Sequence, residues 1–191
     1  MELPMRGPTI VMPRAGAQAP AEWPSDSRIR PAPEVPTLLM MVHPHCPCSR
    51  ASIGELALLM AKVQGRVKAN VLFVRPKGFA EDWEKTSLWS SAAIIPGVSV
   101  LADNEGVEAS RFRSQTSGQV MLYGADGQLL FSGGITAARG HSGDNAGRSA
   151  IVTLLTNDGL TIKQTPVFGC PLFNKDADEK PKDSCDANHR N

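Results

Sequence analysis

The chain has 191 residues, and its 20 basic side chains nearly balance its 19 acidic ones. This balance offers no electrostatic basis for binding nucleic acid or another strongly anionic partner, so that function class is excluded. No run approaches the roughly 18 apolar residues that a membrane span needs, and Met1 to Ala21 lacks the apolar core of a signal peptide. We expect one globular domain with tails.

The first part of the chain is rich in proline. Met1 to Pro36 holds eight of the 15 prolines and shows no repeating apolar period, which is typical of an extended arm. Trp23 is the arm's candidate for docking on a core. We predict three regions: a proline-rich arm at 1–35, an α/β domain at 36–173 and a charged, polar tail at 174–191.

Strands and helices alternate along the predicted domain. Thr37 to Val42 is apolar apart from its threonine, as in a central strand that is covered on both faces. The next apolar residues recur every three or four positions and predict a helix that ends near Gly65. Val71 to Val74 predicts a second strand, parallel to the first.

The second half of the domain contains the clearest hairpin. Two apolar runs, 120–123 and 128–131, flank the turn Gly124-Ala-Asp-Gly127. The remaining predicted elements are a helix within 79–93, a strand at 98–101, a short helix at 107–112, a last helix at 144–155 capped by Ser142 or Asp144, and an edge segment within 161–173. Together they predict a mixed sheet flanked by helices.

Two cysteines stand between the first strand and the first helix. Cys46 and Cys48 are separated only by Pro47. The first turn of a helix has unpaired N–H groups and a partial positive charge, both of which favour a thiolate. We therefore take Cys46 and Cys48 as the candidate catalytic pair. A disulfide between them would close a small, strained ring and would be labile.

The same turn contains a set of soft and borderline metal donors. His43, His45, Cys46 and Cys48 are the side chains that would bind Cu(I) or Zn(II), which gives a copper-handling or metal-binding domain as the alternative function. His45 has a second interpretation, since its hydrogen bond or positive charge would support a neighbouring thiolate.

The segment His45-Cys-Pro-Cys-Ser-Arg-Ala-Ser-Ile-Gly-Glu-Leu56 resembles the active-site segment of TlpA-like thioredoxin-fold oxidoreductases. It is also similar to a RedB-like group with His-Pro-x-Cys-Pro-Cys segments. Without a gap, the match places Cys46 on the first cysteine of Cys-x-x-Cys and Ser49 on the second. The other alignment places Cys48 on the second cysteine and His45 on the first.

The resemblance spans about 36–155 and implies a thioredoxin-like fold and thiol-disulfide exchange without a cofactor. The implied partners are protein or small-molecule thiols and disulfides, in an extracytoplasmic compartment. His45, Pro47, Ser49 and Arg50 would support the site. Where the family carries a cis-proline, this chain has Ser117, and its loss would weaken both substrate pairing and the exclusion of metal.

A mixed disulfide on Cys46 has to be resolved by a second thiol. Cys48 is the first candidate, and Cys170 and an external thiol are the others. Cys170 lies in an apolar stretch, and either pairs with Cys185 in the tail or stays free. A peroxiredoxin-like peroxidase is a third and weaker function, because the lead-in Pro-x-x-x-Thr-x-x-Cys is absent.

A glycine-rich stretch, Gly133 to Gly147, leads into the last predicted helix. It lacks the Gly-Lys-Ser/Thr ending of a phosphate-binding loop, so nucleotide binding is not expected. Arg139 and His141 would come near the cysteine turn if this loop folds over it.

Overall fold

The computed structural model describes residues 18–156, 159 and 161–173. Cys185 and the predicted tail lie outside the described residues, as do residues 1–17 of the predicted arm. The elements in chain order are β1 (Thr37–Val42), α1 (Ser49–Lys62), β2 (Lys68–Arg75), α2 (Ser87–Ala93), β3 (Val98–Asn104), α3 (Val107–Arg111), β4 (Gln119–Tyr123), β5 (Leu129–Gly134) and α4 (Ala146–Thr156).

The five strands form one sheet in the order β3-β2-β1-β4-β5. Strand β1 pairs in parallel with β2 and antiparallel with β4, and all six of its residues are buried. Strand β3 continues the parallel side, and β5 closes the antiparallel hairpin. The predicted mixed sheet with flanking helices is confirmed, and the apolar run at 37–42 is its central strand.

Alternation along β1 divides the core between the two faces of the sheet. Leu38, Met40 and Val42 pack into a cluster that also contains the apolar sides of α1 and α4. Leu39 and Met41 point to the opposite face, where α3 and part of the N-terminal arm cover the sheet. Both faces of the sheet are therefore covered by packed side chains, and polar or reactive groups of β1 can reach solvent only at the ends of the strand.

The described part of the arm docks through Trp23. Its ring lies 5.1 Å from the ring of Phe112 and 5.2 Å from that of Tyr123, both in edge-on geometry. The hydroxyl of Tyr123 donates to the carbonyl of Pro20 at 3.0 Å. The arm residues that the structure describes thus form part of the second core cluster.

Two local predictions were wrong. The helix expected within 79–93 forms only over α2, because Asp82 adopts a left-handed φ of 74° and the helix starts after the capping residue Thr86. The cap of α4 is Asn145, whose side-chain oxygen accepts from the Arg148 N–H at 2.8 Å, and not Ser142 or Asp144.

The segment 161–173 follows the sheet edge without becoming a regular strand. It makes isolated bridges from Gln164 to Ser132 and from Pro171 to Thr116. Within the described part of the chain, no helix combines the length and the apolar character needed to cross a membrane.

Candidate functional site

The cysteine turn connects the end of β1 to the start of α1. The N–H of Cys46 donates to the carbonyl of His43 at 3.1 Å, and the N–H of Ser49 donates to the carbonyl of Cys46 at 3.1 Å. Cys48 is the N-cap residue of α1, and its side chain makes no capping hydrogen bond. Both cysteines therefore sit at the helix start, where the sequence places them.

Cys170 brings a third thiol to the site. Its sulfur lies 3.0 Å from that of Cys46, although the two residues are 124 positions apart in the chain. Cys46 is only 1% exposed, whereas Cys48 and Cys170 are half-buried, and all three are free thiols. Because a disulfide bond measures about 2.05 Å, oxidation of the Cys46 and Cys170 pair requires a movement of about 1 Å.

The pKa values of the two neighbouring thiols, Cys46 and Cys170, are shifted in opposite directions. Burial raises the pKa of Cys46, but hydrogen bonds from Cys170 and Ser49 outweigh it and lower the pKa below its ordinary value. Burial and the hydrogen bond to Cys46 raise the pKa of Cys170 to about 12. Of the two sulfurs, that of Cys46 therefore loses its proton first, and once ionised it accepts a hydrogen bond from the Cys170 thiol.

Cys48 stands in the same electrostatic environment. Burial raises its pKa, and the negative charge of Cys46 raises it further, while the positive charge of Arg139 acts in the opposite direction. Arg139 also donates to the carbonyl of Gly169 at 2.9 Å, next to Cys170. The glycine-rich loop thus carries Arg139 to the cysteine turn, where its positive charge lowers the pKa of both Cys48 and Cys170 against the other influences.

Ser117 connects three parts of the site. Its hydroxyl lies 2.7 Å from that of Ser49 and accepts from the His43 N–H at 2.8 Å. Its own N–H donates to the carbonyl of Cys170 at 2.8 Å. No cis peptide bond occurs among the described residues. Ser117 therefore joins the end of β1, the first residue of α1 and the segment that carries Cys170.

The other predicted site residues lie around the turn. His43 is buried and accepts from the His45 N–H at 3.2 Å, and the rings of both histidines pack against Trp83. Pro47 is exposed, and exposed Arg50 reaches the hydroxyl of Ser87 at 3.3 Å. The donors that lower the pKa of Cys46 are Cys170 and Ser49. The role predicted for Ser49 thus acquires a physical basis in the geometry.

The metal alternative receives no support from the described residues. Within 18–156 and 161–173, no three histidine, cysteine or acidic side chains are arranged so that they could hold a metal ion. The proposed donor set, His43, His45, Cys46 and Cys48, is divided between a buried histidine, an exposed one and the thiol cluster.

Neither a protein-family model nor a curated protein matches the chain. Similar solved structures exist. An uncharacterized conserved protein from Geobacillus kaustophilus is 19% identical, with a TM-score of 0.62 over 86% of this chain and 94% of its own. A hypothetical protein from Sinorhizobium meliloti 1021 is 18% identical, with a TM-score of 0.60 over 73% of this chain and 80% of its own.

The mixed sheet, whose central strand pairs in parallel on one side and with an antiparallel hairpin on the other, and its flanking helices give the chain a thioredoxin-like fold. A thioredoxin-like protein solved in its oxidized form also matches, at 13% identity and a TM-score of 0.46 over 76% of this chain and 92% of its own. Likenesses at this level of identity concern the backbone alone. The predicted fold class is confirmed.

Substituting alanine for Cys170 is expected to raise the pKa of Cys46, because the variant loses the side-chain donor to the thiolate. The ultraviolet absorbance of the thiolate, followed against pH with Cys46→Ser as the blank, measures this pKa. Cys170→Ser is the matched control, because its hydroxyl is still a donor and should limit the shift. An unchanged titration in Cys170→Ala would contradict the assignment of Cys170 as the donor.

The same titration has a consequence for stability. Hydrogen bonds from Cys170 and Ser49 lower the pKa of Cys46 in the folded chain relative to the unfolded chain. The thiolate therefore contributes stability above the unfolded pKa, and this contribution is lost as pH falls through the folded pKa. The free energy of unfolding of Cys170→Ala should depend less on pH in this range than that of the wild type.

Proposed function

We propose that the chain is a thiol-disulfide oxidoreductase whose attacking group is the thiolate of Cys46. One observation carries the proposal: a thiol at the start of α1 has a lowered pKa and lies 3.0 Å from a second, protonated thiol. Thiolates attack disulfides and thiols do not, so the ionised partner is the nucleophile. The proximity of the second sulfur supplies the means of resolution.

The reaction proceeds by two displacements. The Cys46 thiolate attacks one sulfur of a substrate disulfide, which forms a mixed disulfide and releases the other sulfur as a thiolate. Cys170 then gives up its proton to that thiolate and attacks the sulfur of Cys46. The products are a disulfide between Cys46 and Cys170, one substrate thiol, and the second substrate sulfur, which leaves as a thiolate. Two electrons have moved from the protein pair to the substrate, and the reverse steps oxidise a dithiol.

Geometry favours Cys170 over Cys48 as the resolving thiol. The sulfur of Cys170 already contacts that of Cys46, whereas a disulfide across one intervening residue would strain its geometry. Cys48, the resolving thiol expected from the sequence, stays the alternative. Ser49 is a positioning residue in this scheme, since it donates to the Cys46 thiolate and is itself held by Ser117.

Protein or small-molecule disulfides and thiols are the proposed partners, and no cofactor is needed because the sulfurs themselves carry the electrons. The three-thiol arrangement also explains why the segment departs from a standard Cys-x-x-Cys. Ser49 occupies the place that the gap-free match gives to the second cysteine, and it acts as a donor to the thiolate. The second sulfur comes instead from a distant part of the chain.

A reaction with glutathione disulfide tests both the function and the pairing. The fully reduced protein should release both halves of the disulfide as glutathione, and peptide mapping should find a bond between Cys46 and Cys170. A disulfide between Cys46 and Cys48 would identify Cys48 as the resolving thiol and would still support the proposed function. Failure of Cys46 to oxidise with this and a protein disulfide would overturn the proposed function.

A further inference from the structure

The segment Val167 to Leu172 crosses the cysteine site without forming a regular strand. The N–H of Ser117 donates to the carbonyl of Cys170 at 2.8 Å, and the N–H of Leu172 donates to the carbonyl of Gln115 at 2.9 Å. Pro171 and Thr116 form an antiparallel bridge between these two bonds. The backbone before β4, residues 115–117, thus offers a short edge for backbone pairing, which the chain covers with its own segment.

The segment Val167 to Leu172 shields the sulfur of Cys46 from solvent. Cys46 is 1% exposed although it stands at a helix start, and the sulfur of Cys170 lies directly against it. An external disulfide has to bring one of its sulfurs to Cys46 before exchange can occur. In the arrangement seen here that position is already taken, so part of the site must move.

The covering segment lies outside the regular elements of the fold. Between residues 161 and 173 it forms isolated bridges and belongs to no helix or regular strand, and several of its side chains are exposed. The opposite wall of the site consists of β1 and α1, which belong to the main core. Local opening is drawn from segments outside the regular helices and strands, and this segment belongs to none of them.

We infer that Val167 to Leu172 is a built-in ligand of the edge 115–117, and that an extended, cysteine-containing segment of a partner protein replaces it to reach Cys46. The identity of the exchange reaction rests on the proposed function, whereas the displacement rests on the contacts alone. Backbone pairing with an exposed sheet edge provides affinity, and the side chains of the bound segment provide specificity.

The contacts of the built-in ligand describe the partner. A Cβ added to Gly169 would lie 1.9 Å from the carbonyl oxygen of Ser117, so the residue before the cysteine has to be glycine. Leu172 is 1% exposed and packs in the second core cluster, so the second residue after the cysteine has to be apolar. Pro171 is exposed, so the residue directly after the cysteine of the partner segment can be of any type. The expected pattern is Gly-Cys-x-apolar.

Access to Cys46 tests the displacement in the full chain. Gly169→Ala forces the segment away from Ser117, so the rate at which iodoacetamide modifies Cys46, taken at its high-pH plateau, should rise at least about tenfold relative to wild type. Gly54→Ala is the matched control, because a Cβ there meets no atom within 4 Å and the rate should not change. The alkylation rate at the high-pH plateau measures how accessible Cys46 is, whereas the pH midpoint of the rate measures its pKa. A change in access is therefore separated from a change in ionisation.

Leu172→Ala provides a second, milder variant, since it removes the buried anchor without a clash. An increase in both variants, with the cooperative unfolding transition retained, supports the inference. Equal plateau rates in wild type, Gly169→Ala and Leu172→Ala would overturn it, because Cys46 would then be equally reachable with the segment in place. Alkylation needs no disulfide substrate, so this result is independent of whether the chain is an oxidoreductase.

Short peptides test the partner pattern. In Gly169→Ala, the peptide Val-Phe-Gly-Ser-Pro-Leu, which has serine in place of the cysteine, should protect Cys46 from iodoacetamide. The same peptide with valine in place of glycine should not. Equal protection by both peptides, or protection by neither at millimolar concentration, would overturn the assigned binding edge.

Discussion

Cys46→Ser is expected to abolish the reduction of a protein disulfide such as insulin, with a loss on the order of 10³-fold or more. A serine hydroxyl stays protonated near neutral pH and cannot replace a thiolate whose pKa is lowered by its donors. Serine has nearly the volume of cysteine, so the buried site should remain folded. Initial rates of insulin reduction with a fixed thiol reductant measure the effect.

The neighbouring thiols are the controls for this change. Cys48→Ser should keep most of the turnover, whereas Cys170→Ser should slow it and accumulate a mixed disulfide on Cys46, visible as an added mass on that peptide. Turnover that survives in Cys46→Ser would refute the assignment of the nucleophile. Equal accumulation in Cys48→Ser and Cys170→Ser would show that the two thiols share the resolving role.

Arg148→Ala is expected to lower the free energy of unfolding by about 3 kcal/mol. The guanidinium of Arg148 forms an ion pair with Glu55, whose carboxylate is 1% exposed on the inner side of α1. The same carboxylate accepts from the Gly143 N–H at 2.7 Å and from the Asn145 side chain at 3.2 Å. Removing the arginine leaves a buried charge with only these neutral donors, and urea unfolding measures the cost.

Asp144→Asn is the matched control for this prediction. Asp144 pairs with the same arginine at 2.8 Å, but its side chain is fully exposed, so its pair should contribute little to stability. An equal loss in Arg148→Ala and Asp144→Asn would show that the buried position of Glu55 does not matter. The pair also connects α1 to α4 and to the loop that carries Arg139, so a looser loop is a second expected effect.

Elements with a strong local signal could be predicted from the sequence. The apolar run at 37–42 identifies β1, the turn Gly124-Ala-Asp-Gly127 identifies the hairpin of β4 and β5, and the three- and four-residue spacing of apolar side chains identifies α1. In each case neighbours along the chain determine the structure. The position of Cys46 and Cys48 at the start of α1 follows from the same local logic.

Features that depend on distant contacts could not be predicted in this way. Cys170 lies in an irregular segment without periodicity, and its approach to Cys46 depends on the backbone pairing of residues 115–117. The sequence offered Cys170 only as one of three resolving candidates. The helix predicted within 79–93 failed for a related reason, since the left-handed conformation of Asp82 has no strong signal in an acidic stretch.

The long separation between Cys46 and Cys170 matters during biosynthesis. The two residues are 124 positions apart, so the ribosome releases Cys46 and Cys48 well before the segment that completes the site. Until Cys170 has been translated, the nascent chain lacks one of the hydrogen-bond donors that lower the pKa of Cys46. The reactive sulfur therefore acquires its full ionisation only when nearly the whole domain has been translated.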